Sequence, residues 1–233
     1  MNAVAIVPAA GLGIRMGTEQ RKPLLELEGV PILIWTLRKL AACPRLRQLF
    51  VALRKQDFAA VETTLGGESY RARVTLVEGG DYRQDSVVAC LARLPADTDL
   101  VVIHDAVRPF VDLALVEKVM DAAAATGAAI AALPITDTVK QIDRTRVSGT
   151  LPRERIVLAQ TPQAFRYALL KEAFARAAAD GYHGTDEAVL VERLGREVRV
   201  VAGSDRNLKI TKPADLELAR FLLAQERTPG AEK

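Results

Sequence analysis

Short apolar runs alternate with segments of helical periodicity as far as Pro134 in this 233-residue chain. The apolar runs predict strands at 3–7, 49–53, 74–77, 100–104 and 129–133. Helical spacing predicts helices at 31–42, 57–65, 83–94 and 113–125. Strands that are apolar throughout suit a sheet covered on both faces, and their alternation with helices favours parallel pairing. The sequence therefore predicts an α/β fold with a doubly wound, mostly parallel sheet.

The alternation breaks after Pro134. Residues 136–159 mix charges, Gly149 and short β-branched runs, a pattern closer to a hairpin than to a helix. Helical spacing then returns at 167–179 and 187–194, followed by a strand at 198–202 and a helix at 213–225. We predict one domain over residues 1–233 with a projecting β-arm at about 136–159. A projecting arm rich in β-branched residues is easier to explain if it is paired in a dimer.

Composition excludes several classes of protein. The chain has 32 basic and 29 acidic residues, a balance too even for a general nucleic-acid surface. Its two cysteines, Cys43 and Cys90, stand in separate apolar contexts and support neither a disulfide framework nor a zinc site. No basic leader or long apolar stretch precedes the first strand. We therefore expect a cytoplasmic protein that binds neither nucleic acid nor a membrane.

A glycine-rich turn directly follows the first predicted strand. It reads Pro8-Ala9-Ala10-Gly11-Leu12-Gly13-Ile14-Arg15-Met16, with Lys22 shortly afterwards. Small residues let phosphate groups approach the backbone N–H groups, and the two basic residues add positive charge. The pattern meets neither the dinucleotide fingerprint GxGxxG nor the P-loop pattern. The turn indicates a phosphate site of another kind, unless it is an ordinary strand-to-helix turn with basic residues nearby.

Two further strand ends carry polar residues. Asp105 ends an apolar strand, where an unpaired carboxylate is costly, so it either associates with a ligand such as Mg²⁺ or pairs with Arg108. We interpret the preceding His104 as structural, since no acid or base partner is visible near it. In the segment Gly79-Gly80-Asp81, the backbone and the carboxylate could meet the edge of a pyrimidine. Ser86 either caps the following helix or contacts the ligand.

The glycine-rich turn and six later blocks resemble, in the same order, the 2-C-methyl-D-erythritol 4-phosphate cytidylyltransferases. The later blocks are Gly79-Gly80-Asp81-Tyr82-Arg83-Gln84-Asp85-Ser86-Val87, His104-Asp105-Ala106-Val107-Arg108-Pro109, Asp137-Thr138-Val139-Lys140, Gln160-Thr161-Pro162-Gln163, Thr185-Asp186-Glu187-Ala188 and Asn207-Leu208-Lys209-Ile210-Thr211. Together they span nearly the whole chain. The chain departs from the family pattern at Arg21-Lys22-Pro23, where Pro-Lys-Gln is usual, and at Val107, where alanine is usual.

The resemblance implies a Mg²⁺-dependent transfer of CMP from CTP to 2-C-methyl-D-erythritol 4-phosphate, with release of pyrophosphate, in the non-mevalonate isoprenoid pathway. The implied catalytic residues are Arg15, Lys22 and Lys209. The implied CTP-binding residues are Pro8, Ala9, Ala10, Gly11, Gly13, Gly80, Asp81, Ser86, Asp105 and Ala106. The implied acceptor-binding residues are Asp105, Arg108, Thr138, Arg153 and Lys209, and Asp105 is the implied metal ligand.

The resemblance also implies a homodimer, in which Thr138 and Arg153 reach the acceptor phosphate in the partner subunit. From the residues alone, Arg153 beside Glu154 and Arg155 would be interpreted as part of a solvated charged face. An acceptor phosphate is already a good nucleophile at neutral pH, so no Ser/His/Asp relay is needed. Catalysis would then consist of positioning and electrostatic stabilisation of charge at the α-phosphate and on the leaving pyrophosphate.

Three alternatives remain open at this point. A cytidylyltransferase acting on ribitol 5-phosphate would share nearly all nucleotide-facing motifs. A noncatalytic CTP sensor would not need the full set of cations. A dinucleotide oxidoreductase is disfavoured by the missing third glycine and by the lack of an acidic residue after the second strand, near Leu53.

We predict that the substitution Lys22→Ala lowers the turnover number far more than it disturbs folding. Loss of one fixed cation beside the reacting phosphates should cost on the order of 3 kcal/mol or more of transition-state stabilisation, by analogy with single oxyanion donors. Pyrophosphate release at saturating substrate measures the effect, and a near-normal turnover number would contradict the assignment.

Overall fold

The structure is a computed structural model that describes residues 1–11 and 22–227. Its strands are β1 Ala3–Pro8, β2 Glu26–Leu27, β3 Val30–Pro31, β4 Leu46–Leu53, β5 Val74–Glu78, β6 Leu100–Ile103, β7 Ala128–Pro134, β8 Val139–Asp143, β9 Arg146–Leu151, β10 Val157–Arg166 and β11 Arg199–Ala202. Its α-helices are α1 Ile32–Ala41, α2 Phe58–Leu65, α3 Arg83–Leu91, α4 Leu113–Thr126, α5 Tyr167–Ala179, α6 Ala188–Glu192 and α7 Pro213–Arg227.

A seven-stranded sheet forms the centre of the described structure, in the order β11-β7-β10-β6-β1-β4-β5. Strands β1, β4, β5 and β6 pair in parallel, and β11 pairs in parallel with β7. Strand β10 is antiparallel to both of its neighbours, β6 and β7. The predicted α/β fold with a doubly wound, mostly parallel sheet is confirmed.

Helices cover both faces of this sheet, which explains why its central strands are apolar throughout. Ala3, Ala5 and Val7 of β1 pack into one core with residues of α1, α2 and α4. Val4 and Ile6 point to the opposite face and join a second core with residues of α3, α5 and α6. Successive side chains of a strand alternate between the two faces of the sheet. In a strand between two helix layers, every side chain therefore faces a core, which favours apolar residues at every position.

A third, smaller core lies outside these two layers. Leu25 and Leu27 of the segment around β2 pack with Ile210, and with Ala219 and Leu223 of α7. This core holds the segment around residue 210 near the start of α1. It therefore anchors one side of the segment that carries Lys209.

A β-hairpin lies within the segment where the arm is predicted. The hairpin consists of β8 and β9, over residues 139–151, whereas Val157–Arg166 is a strand of the central sheet. Strand β10 was not predicted because Gln160, Thr161 and Gln163 interrupt its apolar pattern. These three polar residues are nevertheless buried, and their side chains bond other segments of the chain. Hydrogen bonds to distant segments thus satisfy the buried polar side chains of a strand that has no continuous apolar pattern.

The parallel strands place their carboxyl ends at one edge of the sheet. The segments that follow β1, β4, β5 and β6 therefore meet there, as ligand-binding segments do in open α/β sheets. They carry residues 9–11, Arg54, Asp81 and Asp105. Among the described residues, no helix combines the length and the apolarity needed to cross a membrane.

Candidate active site

Backbone hydrogen bonds join three strand ends into the first half of the site. Ala9 N–H donates to the carbonyl of Ala52 over 2.8 Å, and Gly79 N–H donates to the carbonyl of Leu53 over 2.8 Å. Strand β4 lies between β1 and β5, so its last residues continue the ladder into both neighbouring loops. The start of the glycine-rich turn and the Gly79-Gly80 segment are thereby fixed relative to each other.

Gly79 and Gly80 are required by close packing. A Cβ at Gly79 would lie 2.6 Å from Cβ of Ala10 and 2.8 Å from Oγ of Ser86, and a Cβ at Gly80 would lie 2.3 Å from Cβ of Asp85. Heavy atoms do not approach this closely without displacement, so any side chain here would force the loops apart. Three of the predicted CTP-binding residues, Ala10, Gly80 and Ser86, accordingly lie where the two loops pack together. We refer to the surface at this junction, where Gly79 and Gly80 stay partly exposed, as the slot.

Ser86 is not the cap of α3. The helix begins at Arg83, and the carboxylate of Asp85 accepts a hydrogen bond from Tyr82 N–H over 3.1 Å, which is the capping contact. Ser86 lies one residue later, is 2% exposed, and donates from Oγ to the carbonyl of Tyr82 over 3.3 Å. Capping, one of the two roles that the sequence left open, is wrong, because Ser86 lies inside the helix. The ligand role stays a prediction.

Asp81 has a partner that the sequence analysis missed. Its carboxylate accepts a hydrogen bond from Nη1 of Arg54 over 2.9 Å, while Nε of Arg54 donates to the carbonyl of Ala10 over 3.0 Å. Asp81 itself is largely exposed. The only signal of Arg54 in the sequence is its position directly after an apolar strand.

Asp105 is the centre of the second half of the site. Its Oδ2 lies 2.8 Å from Nζ of Lys209 and 3.5 Å from Nε of Arg108, and its Oδ1 lies 3.3 Å from Nε of Arg83. Its own N–H donates to Oγ1 of Thr161 over 3.0 Å. Asp105 does pair with Arg108, but its shortest contact is with Lys209, more than 100 positions away in the sequence.

These contacts keep Asp105 ionised. Burial by itself would raise the pKa of this carboxyl, but Arg83, Lys209 and Arg108 outweigh burial and hold the pKa well below its usual range. Burial lowers the pKa of Arg108, and Asp105 opposes that shift. The carboxylate and the guanidinium groups thus stabilise each other's charged forms against the cost of burial.

Arg83 links Asp105 to a second buried carboxylate. Its Nη1 donates to both oxygens of Glu187, over 2.6 and 2.8 Å, and the side chain of Glu187 is 2% exposed. Burial raises the pKa of Glu187, and Arg83 opposes this shift. Both residues stand in blocks that carry the family resemblance, yet neither received a role, because their 104-residue separation hides the contact.

A network of amides holds the segment that carries Lys209. Asn207, which is fully buried, donates from Nδ2 to the carbonyl of Thr161 over 2.7 Å. The carbonyl of Asn207 accepts from Nη1 of Arg108 over 2.7 Å. Gln160 donates from Nε2 to the carbonyl of Ser204 over 3.0 Å. Strand β10 thereby fixes the backbone on which Lys209 stands.

His104 makes the contacts of a structural residue, as the sequence predicted. It is fully buried and donates from Nε2 to the carbonyl of Arg108 over 3.1 Å. Burial lowers its pKa to about 4, so the imidazole is neutral at physiological pH. Ala106, two residues further along the chain, is fixed by α1, since Oγ1 of Thr36 donates to the Ala106 carbonyl over 2.8 Å.

A cavity of about 170 Å³ opens at this point. Its lining residues are Arg83, Asp105, Arg108, Ala159, Gln160, Thr161, Gln163, Thr185, Asp186 and Lys209. The lining thus has three cationic side chains, which can bind an anionic ligand, and two carboxylates, and a third carboxylate, that of Glu187, pairs with Arg83. Of the predicted acceptor-binding residues, Asp105, Arg108 and Lys209 line the cavity.

The other two predicted acceptor-binding residues do not line the cavity. Thr138 and Arg153 are exposed at the base of the hairpin, just before β8 and just after β9. Gly13 and Arg15 lie outside the described residues, as does the side chain of Lys22. Within the described residues, no group of three or more His, Cys, Asp or Glu side chains forms a metal cluster.

The sequence model of the 2-C-methyl-D-erythritol 4-phosphate cytidylyltransferase family matches residues 3–225. The chain belongs to this family. The enzyme of that name from Solibacter usitatus is 51% identical over 237 residues, with 97% of each chain covered, and that from Acidobacterium capsulatum is 49% identical over 235 residues, covering 97% of this chain and 98% of the relative.

Solved structures agree with this membership. The 4-diphosphocytidyl-2C-methyl-D-erythritol synthase from Anaerococcus prevotii matches with a TM-score of 0.84 at 31% identity, covering 95% of this chain and 98% of its own. The cytidylyltransferase from Thermus thermophilus matches with a TM-score of 0.79 at 36% identity, covering 96% of this chain and 100% of its own. The predicted family and the predicted enzyme class, a cytidylyltransferase, are thereby confirmed.

We predict that Asp105→Asn lowers the free energy of unfolding at neutral pH by about 3 kcal/mol or more, because three cations lose their shared buried anion. Since the pKa of Asp105 is depressed in the folded protein, the carboxyl is ionised in the folded and the unfolded state between about pH 7 and about pH 5. The stability difference between the wild type and the variant should therefore be constant over that interval.

Below about pH 4 the unfolded wild-type chain takes up a proton that folded Asp105 does not, so the difference should shrink. Urea denaturation at a series of pH values measures this difference. A difference that already disappears between about pH 7 and about pH 5 would show that Asp105 titrates in that range, contrary to the geometry.

Proposed function

We propose that this protein transfers CMP from CTP to 2-C-methyl-D-erythritol 4-phosphate and releases pyrophosphate, in the non-mevalonate route to isoprenoid precursors. The observation that carries the proposal is the convergence of Arg83, Arg108 and Lys209 on Asp105, beside the slot bounded by glycine. Cations around one fixed carboxylate suit substrates that carry several phosphate groups. Family membership identifies which substrates these are.

The slot formed by Ala10, Gly79, Gly80 and Ser86 is proposed to hold the cytosine and the ribose. Gly79 and Gly80 stay partly exposed there, while Ala10 and Ser86 are buried against Gly79. The exposed backbone N–H and C=O groups of the glycines can match the polar edge of cytosine. The start of the glycine-rich turn, over residues 8–11, would then lie beside the triphosphate.

The cavity at Asp105 is proposed to hold the acceptor phosphate. Lys209 reaches the cavity from its partly exposed position, with Nζ held 2.8 Å from Asp105, and Arg108 is anchored through the Asn207 carbonyl. The acceptor phosphate can attack the α-phosphorus without a general base. Fixed cations lower the barrier by offsetting the charge that grows on the phosphate oxygens. The neutral, buried His104 takes no part in proton transfer.

The donor set at Asp105 fits a magnesium ion that arrives with the nucleotide. An ionised carboxylate has about four lone-pair positions, and Lys209 and Arg108 face Oδ2 while Arg83 alone faces Oδ1, so acceptor capacity is left on Oδ1. Magnesium in phosphoryl-transfer sites is bound by one or two carboxylates and completes its shell with phosphate oxygens and water. Asp105 would be its protein ligand, and the ion would supply charge neutralisation of the triphosphate.

The arm is proposed to pair with a second copy of this chain in a homodimer built from single-domain subunits. Large apolar side chains are exposed on the hairpin and on the strand that follows it: Ile142 at 65%, Val147 at 63% and Leu158 at 56%. A symmetric partner would bury them. Thr138 and Arg153 would then reach the partner's cavity, which accounts for their distance from the cavity of their own chain.

The proposed location is the cytoplasm. Cys43 and Cys90 are both buried and reduced. Burial raises the pKa of the Cys90 thiol to about 12, so this thiol stays protonated and unreactive. Such cysteines are typical of proteins from a reducing compartment.

The substrate assignment is tested by an end-point screen of the four nucleoside triphosphates against methylerythritol phosphate and ribitol 5-phosphate, with Mg²⁺ present. We expect pyrophosphate release with CTP and methylerythritol phosphate and a clear preference over the other pairs. Greater pyrophosphate release with ribitol 5-phosphate would show that ribitol 5-phosphate, and not methylerythritol phosphate, is the acceptor. CTP binding without turnover on either acceptor would instead indicate a nucleotide sensor.

Shared sites across a dimer are tested by complementation between inactive subunits. We expect Arg153→Ala and Lys209→Ala to be nearly inactive alone and to recover activity when co-expressed, because the heterodimer combines an intact arm with an intact cavity. Random pairing makes about half of the dimers mixed, each with one intact site, so recovery should reach about a quarter of wild-type activity.

The matched control is co-expression of Thr138→Ala with Arg153→Ala. Both changes lie on the arm, so every site in the mixed dimer meets a defective arm and no recovery is expected. If Arg153→Ala and Lys209→Ala do not complement, each arm serves its own chain and the proposed arrangement is wrong.

A further inference from the structure

Arg54 stands at the junction of the two loops that bound the nucleotide slot. It directly follows β4, the strand whose last residues bond the segments after β1 and β5 through Ala52 and Leu53. Its side chain extends this bridge beyond the end of the strand. Nε donates to the Ala10 carbonyl over 3.0 Å, and Nη1 donates to the Asp81 carboxylate over 2.9 Å.

The two contacts differ in what they can contribute. Asp81 is 84% exposed at its side chain, and an ion pair in such a place contributes little because water competes for both charges. Ala10 is 1% exposed, and its carbonyl accepts a charge-assisted hydrogen bond from a guanidinium that is itself 22% exposed. The contact with Ala10 is therefore the stronger of the two, and the contact with Asp81 adds a weaker link to the exposed loop.

The guanidinium plane suits this bridge better than an ammonium group would. Nε–H and Nη1–H point in different directions from one rigid planar group, so one side chain can donate to two loops at a set separation. A lysine at this position has a single nitrogen and a flexible stem, and it could keep the charge without keeping both distances. Substitution of Arg54 by lysine therefore distinguishes the effect of its charge from the effect of its geometry.

We propose that Arg54 is a positioning residue for the nucleotide, which sets the separation between Ala10 and the Asp81 loop and so pre-forms the slot for the pyrimidine nucleoside. This inference rests on the proposed function, since it concerns the same slot. Without the bridge, the loops after β1 and β5 are joined by the backbone bonds at the strand ends and by the packing of Gly79 against Ala10, and no side-chain bond of Arg54 holds the Asp81 carboxylate. Part of the binding free energy of CTP is then spent on ordering them.

The experiment compares Arg54→Met and Arg54→Lys with the wild type, at saturating and at varied concentrations of each substrate. We expect Arg54→Met to raise the KM for CTP about tenfold, with kcat within about twofold and the KM for methylerythritol phosphate unchanged. Calorimetric titration with CTP alone should show the same loss of affinity. Arg54→Lys should recover only part of it, because it restores the charge but not the rigid planar group.

The matched control is Arg45→Met, which removes another surface arginine paired with an aspartate. Arg45 bonds Asp121 over 2.7 Å, and neither residue belongs to the proposed site. We expect its kinetic constants to stay at wild-type values. Thermal unfolding of all three variants separates a loss of CTP affinity from a loss of folded protein.

Each other outcome has a definite meaning. Full recovery by Arg54→Lys would show that charge alone matters and would overturn the positioning role. A fall in kcat with both KM values unchanged, or a lower melting temperature with unaltered CTP affinity, would assign Arg54 a different role. If the wild type itself fails to release pyrophosphate from CTP, the proposed function fails; normal wild-type turnover with unaffected variants removes only the inference about Arg54.

Discussion

The site depends on one electrostatic constraint, the burial of the Asp105 carboxylate at the end of β6. An ionised carboxyl in that position needs nearby cations, and Arg83, Arg108 and Lys209 supply them from three different segments of the chain. The requirement works in both directions, because each cation is held in place by the same anion. The carboxylate therefore acts as the common point on which the segments after β5, β6 and β11 converge.

Steric contact fixes the loops at the nucleotide slot, as electrostatic attraction fixes the side chains of the cavity. Gly79 lies so close to Ala10 and Ser86 that no side chain fits there, and the ladder from β4 fixes both neighbouring loops. The two halves of the site share α3, which begins beside the slot and carries Arg83 into the cavity. A substrate that spans both halves would thus meet groups whose separation is set by a single helix. This is the arrangement that catalysis by positioning needs.

Much of the fold could be read from the sequence, because apolar strands between two helix layers leave a strong local pattern. Strand β10 escaped detection since Gln160, Thr161 and Gln163 are stabilised by partners far away in the sequence. The same limit applies to the site. Asp105 and Lys209 were predicted from strand position and family resemblance, whereas Glu187 and Arg54 were missed because a charged residue without its partner in view resembles any surface residue. The role of Arg153 still depends on a partner chain.

The sequence by itself determined the alternation of strands and helices as far as Pro134, the small residues of the turn after β1, and the membership in a family of cytidylyltransferases. These are properties of neighbouring residues or of motifs in series, which the linear pattern records. Only the tertiary structure decided which charges meet: that Lys209, and not Arg108, makes the shortest contact with Asp105, that Arg83 joins two buried carboxylates, and that Asp85 caps α3 in place of Ser86. Coulomb interactions and hydrogen bonds act over a few ångströms in space, and sequence separation carries no record of that distance.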